Sequence, residues 1–324
     1  MSPSKLISAL LLMCSLTATA KISDGSRWHD GQNMFNCKIS NGNALMLMEG
    51  DTSKKFVLAG DTAGLIFTLK PANNNTDEII PILGAPDDKA ELAELEYAEK
   101  KYEVISIRDS EGHLVSTLCR TEKTLKEEKS DNIVEMLSGL YEDEKSQRAY
   151  ISHTGYVQLP TDTAPRHFWL EEENGNLTNV LNIEDGTRIK CIRTDNGIEF
   201  WTTHVNANNQ TWECDSLLYS MDQTGSGQCT CTPGMFPIAS KRPMTLCQAG
   251  LYRQKHLKLM SAEMAARHGH YFTDEQIYEY MMQQDWYRQQ SHAAPTPLTP
   301  LEKLNTELLR TLIIEKWGEF PIAK

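Results

Sequence analysis

The sequence predicts an α+β protein: two antiparallel β-rich units, each a small barrel or sandwich, followed by a short three-helix C-terminal module. Three observations carry that expectation. Between residues 21 and 221 the apolar runs are strand-length, and turns containing Gly, Asn and Asp separate them. After residue 250 the apolar positions fall at helical spacing, with start and stop signals beside them. Two breaks in composition divide the chain, a charged run at 121–132 and a Cys-, Gly- and Pro-rich loop at 222–250.

Residues 1–20 are set apart as a leader. Lys5, the apolar-biased run from Leu6 to Leu16, and Ala18-Thr19-Ala20 before Lys21 have the three regions of a secretory signal peptide. A lipid anchor at Cys14 is disfavoured, because Met13 stands where lipidation signals place a small residue. No later apolar run approaches the ~20 residues that cross a bilayer, so no transmembrane segment is expected in the mature chain. Removing Lys5 with the leader takes the formal net charge from −12 to −13. That acidity argues against nucleic acid and anionic lipid as partners, since both reward clustered Lys and Arg.

The first β-rich unit covers 21–125. Leu45 to Met48 is too short and too abruptly bounded by Gly42 and Gly50 for a helix, and further strands follow at Phe56 to Leu58 and Leu65 to Leu69. Tyr102 to Ile107 and Leu114 to Cys119 flank Asp109-Ser110-Glu111-Gly112, which reads as a hairpin. Between these pairs, Pro86 to Tyr97 carries Leu92 and Leu95 and is expected to form one short helix. The run 121–132, nearly all charged or polar, reads as a linker or a solvated helix.

The second unit, with that linker, covers 126–221. Its strand runs are Arg148 to Leu159, His167 to Leu170, Leu177 to Ile183, Arg188 to Arg193, Ile198 to Val205 and Trp212 to Met221. Asn174-Gly175, Asp185-Gly186 and Asn196-Gly197 supply the positive φ angles of tight hairpins, so an antiparallel meander is expected. The two units have several strands of similar length, as diverged copies would, without residue-level self-similarity.

Seven cysteines follow the leader: Cys37, Cys119, Cys191, Cys214, Cys229, Cys231 and Cys247. Export favours disulfides, and an odd number leaves at least one thiol unpaired in a monomer. One intervening residue makes Cys229 and Cys231 poor mates for each other, so Cys214 and Cys247 are the favoured partners. Buried free thiols are the alternative. Metal binding is disfavoured, since C-x-C with scattered partners lacks the paired C-x-x-C spacing of zinc sites; no metal and no cofactor are expected.

In the last segment, 251–324, Leu257, Met260 and Met264 form a stripe that ends at Arg267 and His268, and Gly269 suits a left-handed cap. Thr273 with Gln276 reads as a capping box for a second helix bearing Ile277, Tyr280 and Met281 toward Trp286 and Tyr287. Thr299 as N-cap, Pro300 at the first position and Glu302 closing the box start a third, with Leu301, Leu304, Leu308 and Leu312 on one side. The run Ala265-Ala266-Arg267-His268-Gly269, then Phe272, Trp286-Tyr287, Leu298, Glu302 and Asn305, resembles the YARHG domain, a small presumed-extracellular module of bacterial proteins. Ala265 stands where the motif has Tyr. The resemblance covers the last ~70 residues and implies an extracellular bacterial setting without a known activity. Arg267 and His268 are expected to be structural, with Glu302 as the acid facing Arg267.

No metalloprotease H-E-x-x-H, hydrolase G-x-S-x-G, phosphate-binding loop or dinucleotide fingerprint occurs. His268 and His270, flanking Gly269, could be a base or ligand; capping or core roles fit better. Glu171-Glu172-Glu173 reads as a charged hairpin tip. Phe168-Trp169, Phe200-Trp201 and Trp212 place rings on both strand faces, which suits core packing or, if one face is exposed, stacking on sugars. The expectation is an exported bacterial envelope or secreted protein that binds an envelope protein or glycan, with no catalytic residues assigned. A hydrolase acting on envelope polymers, its residues dispersed in the β units, is the alternative.

Overall fold

The computed structural model describes residues 21–50, 55–60, 66–71, 85–97, 99–227, 232–288 and 295–317. The expected leader at 1–20, and Cys229 and Cys231, lie outside the described residues.

The first unit is a closed eight-stranded antiparallel barrel. Its strands are β1 (Arg27–His29), β2 (Met34–Ser40), β3 (Asn43–Met48), β4 (Lys55–Ala59), β5 (Ile66–Pro71), β6 (Lys89–Tyr97), β7 (Lys100–Arg108) and β8 (Leu114–Arg120). β8 returns to β1 through Trp28 opposite Arg120 and His29 opposite Cys119. Alternate residues point inward and fill the interior: Trp28, Phe35, Met46, Phe56, Leu58, Phe67, Leu69, Leu92, Ile105 and Leu118 are all buried.

The expected helix at 86–97 is instead strand β6, paired with β7 in unbroken register from Lys89 opposite Arg108 to Tyr97 opposite Lys100. The misreading has a physical cause. Leu92 faces the barrel interior, but Leu95 faces outward, where the C-terminal helices cover it together with Val104, Cys119 and Leu301. A strand end buried on both sides places two leucines three apart, which imitates helical spacing, and nine residues of ladder override the helix preference of Ala, Glu and Leu.

The second unit repeats the architecture: β9 (Gly139–Glu142), β10 (Arg148–Ile151), β11 (Tyr156–Gln158), β12 (Arg166–Glu173), β13 (Asn176–Ile183), β14 (Arg188–Arg193), β15 (Gly197–Val205) and β16 (Trp212–Gly225) close with β16 against β9. Asn174 and Gly175 turn between β12 and β13 with φ of 51° and 77°, the pair of positive angles expected of an Asn-Gly hairpin. In Asp185-Gly186 the glycine alone is positive, at 86°, and neither Asn196 nor Gly197 takes a positive φ, so that turn is of another type than expected. Tyr141, Phe168, Leu181, Ile189, Cys191, Ile198 and Phe200 fill this interior.

The charged run between the barrels is a helix with one solvated face. It forms α1 (Leu125–Leu137), opened by a capping box of Thr124 and Glu127. Its buried face carries Val134 and Leu137 into the second barrel's core, and Glu128 and Asn132 are buried as well.

The C-terminal module holds a 3₁₀ turn at Pro237–Ser240 and α2 (Leu246–Ala249), then α3 (Gln254–Arg267), α4 (Glu275–Met282) and α5 (Pro300–Trp317). The last three are the helices expected; α2 and the 3₁₀ turn come from the segment read as an open loop, yet Phe236 to Ser240 are all buried. Asp274, one residue later than expected, caps α4 by accepting from the Ile277 N–H. Leu257, Met260, Met264, Phe272, Ile277, Met281, Leu308 and Leu309 form its core, joined by Leu114 of the first barrel. Two seams hold it. On the first barrel Thr311 Oγ1 donates to the Leu114 carbonyl at 3.2 Å and Arg108 pairs with Glu307 at 2.8 Å; on the second Arg253 pairs with Asp195 at 2.8 Å and His256 Nε2 meets the Asp195 carbonyl at 3.1 Å.

Candidate functional site

The motif residues converge on one buried polar network. Glu263, on α3 and fully buried, accepts from the Met235 and Phe236 N–H groups at 2.8 Å each, from Tyr280 Oη at 3.0 Å and from Arg267 Nη2 at 3.1 Å. Four donors match the acceptor capacity of an ionised carboxylate, whereas burial pushes its pKa up. Arg267, one helical turn on, donates to the Pro233 carbonyl at 2.8 Å and to Ser240 Oγ at 2.8 Å, and its guanidinium lies 6.0 Å from the Trp286 ring.

The expected Arg267 to Glu302 pair is not direct. Arg267 takes Glu263 as its acid, while Glu302 Oε2 sits 2.8 Å from His268 Nε2; Ser240 links the two pairs by donating to Glu302 Oε1 at 2.7 Å. The reason is helical geometry: Glu263 and Arg267 are four apart on α3, so they share a face. Burial works to raise Glu302, but its bonds from Ser240 and Thr299 outweigh that and hold it below the usual carboxylate range. Asn305, also fully buried, donates to the Ala239 and Arg242 carbonyls at 2.7 and 2.9 Å and accepts from the Met244 N–H at 2.9 Å. Gly269 turns the chain at φ 78°, Phe272 is buried, and Tyr287 donates to the His270 carbonyl at 2.7 Å. Sequence reasoning missed Glu263, Ser240 and Tyr280, which carry no motif signal of their own.

The described cysteines form no disulfide: Cys37, Cys119 and Cys191 are buried thiols, Cys247 is half-buried and Cys214 exposed. Burial raises Cys37 and Cys247 to about 11 and Cys119 to about 12. Cys214 is exposed near the start of β16, and its expected partners Cys229 and Cys231 lie outside the described residues. Among the described residues no cluster of His, Cys, Asp and Glu could hold a metal ion.

The rings singled out in the second unit divide by strand parity. Phe168 and Phe200 are core; Trp169 is 49% exposed; Trp212 is buried under Arg188, whose guanidinium lies 5.7 Å from its ring. The acidic run leads into the β12–β13 hairpin tip, where Glu173 stands opposite Asn176, and Glu171 Oε1 accepts from Asn182 and Arg188 at 2.8 Å each.

A cleft of about 440 Å³ opens where both barrels, α1 and the C-terminal module meet. Tyr97, Lys100 and Tyr102 come from the first barrel, Asp131 and Glu135 from α1, His153 from the second, and Ile238, Lys241 and Arg242 from the module. Arg242 pairs with Glu135 and bonds Asn132 at 3.1 Å, and Tyr97 Oη meets Thr232 Oγ1 at 3.0 Å. Basic groups outnumber acidic ones here although the whole chain is acidic. No sequence pattern announces this site, because four distant segments build it. Comparison with family models, with curated proteins and with solved structures returned no match to this chain.

Proposed function

We propose that this chain is an exported bacterial envelope or secreted protein that binds rather than catalyses, with the junction cleft as its ligand site and the YARHG-like segment as the clamp that assembles the cleft. The observation that carries this reading is the cleft's construction: it exists only when both barrels and the helical module are docked, and its volume falls within the range of ligand pockets at unit interfaces. Two tyrosine rings and an excess of basic side chains suit a ligand with an anionic group.

Hydrolysis of envelope polymers is the less supported reading. Its acids are already engaged, Glu135 by Arg242 and Asp131 by Lys123, and His153 Nδ1 is 3.3 Å from the Gly227 carbonyl. The buried pairs Glu263 with Arg267 and His268 with Glu302 are likewise closed on their own partners.

The test is a pull-down from envelope extract with the mature chain, run beside Tyr102→Ala and His153→Ala, and incubation with purified peptidoglycan. Capture that both substitutions weaken, with no fragments released from the polymer, is expected. Fragment release by the wild type would establish the hydrolase; capture indifferent to both substitutions would remove the cleft from the reading.

A further inference from the structure

The outer wall of the second barrel carries a row of rings that neither the cleft nor the motif network uses. Tyr156 on β11 stands opposite His167 on β12, and Trp169 follows His167 on the same strand face. Ring centroids are 5.3 Å apart from Tyr156 to His167 and 6.1 Å from His167 to Trp169. Tyr156 is 44% exposed and Trp169 49%. Rings this large rarely line up exposed on a sheet without a partner.

Directly across the sheet from Trp169 stands Asn182, and Arg188 stands across from Asn182 on the next strand. Both donate to Glu171 Oε1 at 2.8 Å, so an amide, a guanidinium and a carboxylate are held in place beside the last ring. Trp169 also lines a groove of about 690 Å³ against α1, whose wall carries Glu127, Glu171 and Glu172; Lys126 pairs with Glu172 and Arg188 with Glu171, so three carboxylates face two cations. The row therefore ends in an acidic groove.

From this geometry we infer that the Tyr156, His167 and Trp169 face binds a linear glycan of amino-sugar units. A pyranose offers a flat C–H face that covers an aromatic ring. His167 lies tilted 37° to Trp169 and Tyr156 stands at 82° to His167, so Trp169 with His167 gives the stacking face and Tyr156 borders it. The sugar's hydroxyl rim suits planar amide, carboxylate and guanidinium partners. The groove's surplus carboxylate supplies the charge complement: an ammonium on the sugar is attracted by Glu127 and by the face of Trp169, whereas an anionic polymer gains no such partner. A protein partner fits less well, because beside Trp169 only Leu170 and Leu177 of the groove lining are aliphatic and the rest is charged or hydroxylic, whereas a stable protein interface needs a larger apolar centre. The inference rests on the binding reading but on a different surface from the cleft.

Isothermal titration of the mature chain with a glucosamine hexamer, an uncharged glucose hexamer, a polygalacturonate fragment and hexalysine tests it. The glucosamine hexamer is expected to bind most tightly and polygalacturonate not at all. Trp169→Ala and Tyr156→Ala are each expected to weaken the glucosamine hexamer by roughly tenfold, with unchanged circular dichroism because both side chains are exposed. His153→Ala, which removes a cleft residue, is expected to leave that affinity intact. The inference is overturned by no binding of the glucosamine hexamer, by binding indifferent to Trp169→Ala, or by hexalysine binding as tightly. The last would mark the face as a general polycation site. Loss of binding in His153→Ala would move the glycan to the cleft and likewise end this assignment.

Discussion

The barrels and the C-terminal module solve the same backbone problem by opposite means. In each barrel the closed ladder pairs the strands all round, so the interior can be almost wholly apolar. In the module, the segment from 232 to 245 is mostly buried, with one 3₁₀ turn to pair its backbone, and side chains take the ladder's place. Glu263 receives the Met235 and Phe236 N–H groups; Arg267 serves the Pro233 carbonyl; Asn305 serves Ala239, Arg242 and Met244. The difference teaches that these buried charges are part of the fold's backbone satisfaction, a use independent of any ligand.

The sharpest way to break that contrast is to remove the central acid. Glu263→Ala strands Arg267 and two N–H groups in the interior and is expected to cost about 3–5 kcal/mol. Urea unfolding of the mature chain measures it, and an Arg267→Ala double-mutant cycle should be strongly non-additive. A loss under about 1 kcal/mol would show that the network is ornament. On the barrel side the comparable lesion is steric. A Cβ at Gly197 would stand 1.8 Å from the Met221 carbonyl oxygen, so Gly197→Ala must push β15 from β16 and is expected to cost about 3 kcal/mol. Near-wild-type stability there would mean that the ladder yields more easily than the polar clamp.

Asn305→Ala sharpens the comparison further, because it removes no charge. Two carbonyls and one N–H lose their partner, for an expected loss of about 2–3 kcal/mol by the same unfolding measurement. If Asn305→Ala were neutral, water would be replacing the side chain, and the segment would be less enclosed than its burial implies.

How much of this was legible follows the same division. Many strands of the barrels follow from period-two patterning, and the β12–β13 turn from Asn174-Gly175, since a closed sheet with one apolar face writes itself into local sequence. The turn inside 148–159, which splits that run into β10 and β11, did not show. Barrel closure does not, because it depends on β8 meeting β1 and β16 meeting β9, pairings between distant residues. Strand β6 was misread where an outside helix covered its second face. In the module, Thr299 and Glu302 were readable as a box, and Arg267, His268 and Asn305 as motif residues. Glu263 was not, because a Glu in a helix is ordinarily a solvated residue, and only the approach of residues 233–240 gives it a role. The cleft and the ring row at Tyr156 share that difficulty, being assembled across segments.

The seam between the two kinds of structure should respond to acid. Burial pushes His256 down to about 4, with nearby Arg193 adding to the effect, while it meets the Asp195 carbonyl of the second barrel. The unfolded chain takes up a proton near the ordinary value of 6.5 and the folded chain does not. Stability from this group is therefore complete above 6.5 and is lost as pH falls toward 4, by about 2 kcal/mol between pH 6.5 and 5. His256→Gln is expected to flatten that part of the pH profile of Tm. An unchanged slope would assign the acid sensitivity elsewhere.

The smallest contrast compares two copies of one device. Thr124 opens α1 and Thr299 opens α5, each with a Glu three residues on that returns a bond to the cap. At α1 the box is exposed, and Thr124→Ala should cost about 1 kcal/mol, the usual worth of a cap. At α5 the same carboxylate also holds His268 and Ser240, and Thr299 gives it two of its four partners. Removing the Thr299 hydroxyl loosens a group on which the polar network depends, so Thr299→Ala should cost more, about 2 kcal/mol. It should also shift the histidine side-chain NMR signals of His268, which a simple fraying of α5 would leave in place. Equal costs and an unmoved His268 would separate the cap from the clamp, leaving Glu302 positioned by Ser240 alone.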